Sequence, residues 1–108
     1  MTDMILVYIT CASPEEAKKI GMHLLKKRLC GCINIIPGMN SVYFWPPKTG
    51  VFEEGHETIL IVKTLEKKFA DVEREVKTVH VSQTPCIIAI PVSNVSKKYY
   101  DWIQGEIL

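Results

Sequence analysis

CGCINIIPGMNSVYFW, residues 30–45, is the stretch on which the fold turns. Read as an extended strand, it puts Cys32, Asn34 and Ile36 on one side and Ile33 and Ile35 on the other. Beyond Pro37-Gly38, Val42 and Phe44 point one way and Tyr43 and Trp45 the other. A strand with one face in water alternates polar and apolar residues; this one is apolar on both. Pro37 lacks a ladder donor and Gly38 admits unusual backbone angles, which reads as a bulge or bend in one long strand. The alternative is a true turn separating two short strands.

Upstream, Met4–Thr10 (MILVYIT) is an apolar, β-branched run of strand length. Ser13-Pro14-Glu15-Glu16 then signals a helix start, with serine as cap, proline at the first helical position and Glu16 completing a capping box. Ala17, Ile20, Gly21, Leu24 and Leu25 recur at helical spacing, and Gly31 is the expected stop. Downstream, Pro46–Gly50 reads as a loop from which Val51-Phe52 pairs back onto Val42–Trp45. The polar run Glu53–Glu57 is expected to be an exposed, bulged connection, and Thr58–Thr64 the third strand. Thr64 is placed to cap a second helix whose stripe is Phe69, Val72, Val76 and Val79, ending near His80. Val81–Pro85 is a connection and Cys86–Val92 a fourth strand, with Pro91 favouring an edge. A short helix carrying Tyr99, Tyr100, Trp102 and Ile103 starts at Asn94 or Ser96.

The order β-α-β-β-α-β plus a terminal helix is the ferredoxin-like arrangement, an α+β fold with an antiparallel sheet. Right-handed crossovers put both long helices on one face of that sheet. Strands two, three and four nevertheless carry apolar residues on both faces. An uncovered apolar face of several hundred Å², at roughly 25 cal/mol per Å², is on the order of 10 kcal/mol of unfavourable exposure. The expected remedy is self-association into an obligate homo-oligomer, because the terminal helix looks too short to cover the face alone.

With 108 residues the chain is expected to be a single domain, 1–108. An apolar share of 47% argues against disorder, and a net charge of +1 leaves no electrostatic footprint for nucleic acid. No apolar run reaches membrane length and no signal pattern opens the chain, so a cytoplasmic location with no membrane partner is expected. The four cysteines, Cys11, Cys30, Cys32 and Cys86, form no CxxC pair and are expected to be reduced. Cys30 and Cys32 would share a face within a strand. His23 and His56 are isolated and expected to face solvent. No glycine pattern for phosphate binding and no third group to orient a Cys-His pair occurs, so no enzyme activity and no organic cofactor is expected.

Several segments together resemble the CutA divalent-cation tolerance proteins across nearly the whole chain. They are Cys32–Gly38 (CINIIPG), Ser41–Trp45 (SVYFW), the strand ending Lys63-Thr64, His80 followed by Thr84-Pro85 and Ile87-Ile88, and the turn Cys11–Pro14. The resemblance implies a stable homotrimer of ferredoxin-like subunits, akin to the PII signalling trimers, and a role in tolerance of copper or another divalent cation. It also implies Cys11, Cys32 and His80 as metal ligands, since thiolate and imidazole suit copper or zinc. The second reading it allows is a PII-like sensor or scaffold, binding an effector or partner in clefts between subunits near Tyr43, Trp45, Lys63 and Gln83. The chain departs from the family pattern at Val81-Ser82, where proline-tyrosine is usual, and at Cys86, where glutamate is usual.

Overall fold

The structure, a computed structural model, describes residues 2–108. Its elements are β1 (Met4–Cys11), α1 (Pro14–Lys26), β2 (Cys32–Phe44), β3 (Phe52–Leu65), α2 (Phe69–Val79, after a 3-10 turn Glu66–Lys68), β4 (Ile87–Pro91) and α3 (Lys97–Glu106). The sheet order is β2-β3-β1-β4 and every pair is antiparallel, as the ferredoxin-like arrangement requires. Residues 30–45 do contain one long strand. Its register against β3 slips between Ile36 and Met39, around Gly38 at φ 80°, so the Pro37-Gly38 interruption is a bulge and not a turn.

Strand parity sorts the side chains between two faces. Val7, Ile9, Leu60 and Val62 pack with Ala17, Ile20 and Leu24 of α1 and Val72 and Val76 of α2 in the main core. Leu6, Tyr8, Ile36, Ile59, Ile61, Ile88 and Ile90 alternate onto the other face. There α3 covers only one end, where Ile103 and Ile107 pack on Met4 and Leu65 with Leu6 and Tyr99 alongside. The helix therefore roofs part of this face, more than its length promised, and leaves Ile36, Ile88 and Ile90 about half exposed.

Several local expectations are corrected. Glu53–Glu57 is strand, the outer half of a continuous β3 paired with Met39–Tyr43; cross-strand pairing outweighs the polar sequence. Thr64 caps no helix. It is fully buried, and its hydroxyl donates to the Leu29 carbonyl at 2.6 Å. β4 begins at Ile87, with Cys86 just outside it. Gly31 does not close α1; Arg28, at φ 58°, takes the left-handed position, and its guanidinium pairs with Glu106 at 2.6 Å. Gly31 is needed for contact instead, because a Cβ there would lie 2.5 Å from Ile103 Cγ1. His23 is not free in solvent; it bonds Glu75 at 2.8 Å and ties α1 to α2, while Glu75 is held below the usual carboxylate range by that bond and by Lys27 and Arg74.

Gly31→Ala is expected to push α3 off the sheet and lower the unfolding free energy by about 1–3 kcal/mol in urea denaturation. An unchanged midpoint would show that Ile103 yields at no cost.

Candidate functional site

Three side chains from three segments meet at one end of the main core. β1 delivers Cys11 as its last residue, α1 delivers Glu16 from its first turn, and His80 is the residue that caps α2. Local chemistry fixes each. Ser13 Oγ accepts from the Glu16 amide at 3.1 Å, so the capping serine sets the first turn of α1. Glu16 then reaches back, one carboxylate oxygen accepting from the Ala12 amide at 2.7 Å and the other from the Val81 amide at 2.9 Å. The capping box foreseen at Glu16 thus also holds the segment that follows α2.

His80 is locked by both ring nitrogens. Nε2 donates to the Thr10 carbonyl at 2.8 Å, and Nδ1 accepts from the Ser82 amide at 3.0 Å. That pattern is the neutral imidazole with its proton on Nε2. Nδ1 also lies 3.9 Å from Glu16, and both side chains are over nine-tenths buried. One donor atom from each of Cys11, Glu16 and His80 lies within 4.8 Å of the others. Burial, with Glu16 and Glu57 adding to it, pushes the Cys11 thiol up to about 12. Cys11 is therefore a thiol at neutral pH, and a poor nucleophile.

Cys32, the third residue implied as a ligand, does not join them. It pairs with Lys63 on the opposite face of the sheet, whereas Cys11 pairs with Thr58 on the helix face. Parity alone forbids a single-chain set of Cys11, Cys32 and His80. Glu16 takes the third place, and the capping-box spacing was the signal that put its carboxylate beside the β1–α1 turn. Cys30 does not share a face with Cys32 either: it precedes β2 and is buried in the main core, its thiol pushed up to about 12 by burial.

The residues expected at a cleft also separate. Tyr43 and Trp45 line a half-open cavity of about 630 Å³ running from Tyr8 and Thr10 to Thr84, Pro85 and Cys86. The Tyr43 hydroxyl donates to Glu53 at 3.0 Å, a bond that raises its pKa. Gln83 belongs to the same connecting segment but is exposed. Lys63 is elsewhere, its ammonium 5.5 Å from the centre of the Tyr99 ring under α3.

An open-faced ferredoxin-like sheet with a buried thiol, imidazole and carboxylate at one end defines a small α+β protein. Residues 5–106 match the CutA1 divalent ion tolerance protein family, and the chain belongs to that family. It is 45% identical over 101 residues to the divalent-cation tolerance protein CutA of Archaeoglobus fulgidus, covering 94% of this chain and 95% of that one. The solved structure of that organism's protein, described as periplasmic, superposes with a TM-score of 0.90 at 43% identity, over 95% of this chain and 97% of that one. The Thermus thermophilus protein superposes at 0.91 with 35% identity, over 96% and 98%.

The two perturbed thiols make stability fall with alkali. Cys11 and Cys30 are raised from 9.0 to about 12, so the unfolded chain loses these protons first. Their contribution is complete below pH 9 and is lost as pH rises toward 12, at up to about 1.4 kcal/mol per pH unit for each thiol. Urea unfolding under reductant at pH 8 to 10.5 should show this decline, and a Cys11→Ala/Cys30→Ala variant a shallower one.

Proposed function

We propose that this chain serves its family's divalent-cation tolerance role by binding a metal ion, copper foremost, at Cys11, Glu16 and His80. The convergence of the three donor atoms carries the reading. Sulfur, imidazole nitrogen and carboxylate oxygen suit zinc or copper, and copper is held the more tightly. Donors round a tetrahedral ion at the usual bond lengths stand about 3.5 Å apart, so the cluster needs a contraction of roughly an ångström. Two local changes accompany binding: His80 Nδ1 exchanges the Ser82 amide for the ion, and Cys11 gives up its proton. The protein acts by binding and not by catalysis, in keeping with a Cys11 thiol pushed up to about 12.

The same reading has the chain work as a homotrimer in which each copy covers another's open sheet face. Half-exposed Ile36, Ile88 and Ile90 support it. It also assigns the protein to the cytoplasm, supported by four free cysteines, two of them buried. A second reading, an effector-binding sensor or scaffold without metal chemistry, is favoured by the cavity beside Tyr43 and Trp45.

Because the ion displaces a thiol proton, copper affinity should rise about tenfold per pH unit between pH 6 and 8, with one proton released per ion. Calorimetric titration in buffers of different ionisation enthalpy measures this. Cys11→Ser should lose the proton release, His80→Ala should lose binding by tenfold or more, and Cys32→Ser should bind as the native chain does. Equal binding by all four proteins removes the site.

In sedimentation velocity the native protein should run at three times its chain mass of 12.3 kDa. Ile90→Lys should shift it toward the single chain. A native monomer at micromolar concentration contradicts the assembly.

A further inference from the structure

The cavity beside Tyr43 and Trp45 has a chemistry that the metal cluster does not use. Among the described residues its charged side chains are two carboxylates, Glu53 and Glu57, with no lysine or arginine lining it. Among the described residues neither carboxylate forms an ion pair, whereas Asp71, Glu73, Glu75, Asp101 and Glu106 each pair with a lysine or arginine. Glu53 holds the Tyr43 hydroxyl, and Glu57 is half-buried on the same face. His80 adds no charge here, since Nδ1 accepts the Ser82 amide proton. The walls are aromatic, with Tyr8, Tyr43 and Trp45 all lining the space.

We propose that this cavity binds a small organic cation, a primary ammonium or guanidinium group carried on an apolar body. The inference rests on the second, effector-binding reading above, in which this end of the open sheet face stays accessible as a cleft beside the contacts between copies, and not on the metal cluster. Size separates the organic cation from a metal ion: about 630 Å³ lies within the range of small-molecule pockets of roughly 300–1,000 Å³ and far exceeds one ion. Charge decides the rest. An unpaired, half-buried carboxylate gains from a charge-assisted hydrogen bond to an ammonium, and electron-rich ring faces attract the same cation. An anion would meet two like charges and no basic partner. Glu57 takes the cation, Trp45 and Tyr43 take the apolar body, and Glu53 stays with Tyr43.

The test is fluorescence titration of Trp45 in a Trp102→Phe background, in EDTA so that the outcome is independent of any metal. The probe is phenethylamine, and phenethyl alcohol is its uncharged counterpart. The amine should quench saturably at least tenfold more tightly than the alcohol, and Glu57→Gln should weaken it at least tenfold. Glu53→Gln should weaken it less and serves if the first variant fails to fold. Equal response to amine and alcohol, or unchanged binding by Glu57→Gln, overturns the proposal. So does a native protein deaf to the amine whose Glu57→Gln variant changes sedimentation, which assigns the carboxylate to contacts between copies.

Discussion

Two helices packed on one side of a four-stranded sheet are the constraint from which the rest of the molecule follows. α1 and α2 bury Val7, Ile9, Leu60 and Val62 completely, and β1 and β3, the central strands, carry that core. Among the described residues nothing of equal size covers the opposite side. α3 reaches only the Met4–Leu65 end, where it is held by Ile103, Ile107 and the Arg28–Glu106 pair. The uncovered part bears isoleucines on both edge strands, Ile36 on β2 and Ile88 and Ile90 on β4. An apolar surface that continues to two unpaired sheet edges is where a folded chain of this kind gains most from another copy of itself.

The buried cluster holds the fold together with the same atoms that the proposed ion would recruit. Glu16 caps the start of α1 and at the same time accepts from the Val81 amide, closing the chain after α2. His80 fastens to the Thr10 carbonyl at the end of β1. Both carboxylate oxygens of Glu16 and both ring nitrogens of His80 are therefore engaged in holding these chain segments together. A ligand that recruits these atoms loosens those contacts, so binding and local stability are coupled through the same few side chains.

Much of the fold could be read from the residues. The capping signal at Ser13–Glu16, the double-faced apolar pattern of residues 30–45 and the edge position of Pro91 all rest on local chemistry, and local chemistry decided them. What escaped was set by contacts between segments distant in sequence. Glu53–Glu57 looks like a loop until it lies beside Met39–Tyr43. Thr64 looks like a cap until the Leu29 carbonyl claims its hydroxyl. Cys32 resembles a metal ligand by motif, yet only the register of β2 against β3 reveals that it faces away from Cys11. Glu16 was visible as a cap and gained its second role only once β1, α1 and α2 converged.

The proposed homotrimer requires the open side of the sheet to be covered by other copies. Hydroxyl-radical footprinting, read by mass spectrometry, tests it residue by residue. Ile36, Ile88 and Ile90, about half exposed in the single chain, should be labelled as weakly as buried Leu60, while Phe52 and Val81 label strongly. Strong labelling of all three isoleucines in the native protein would contradict it.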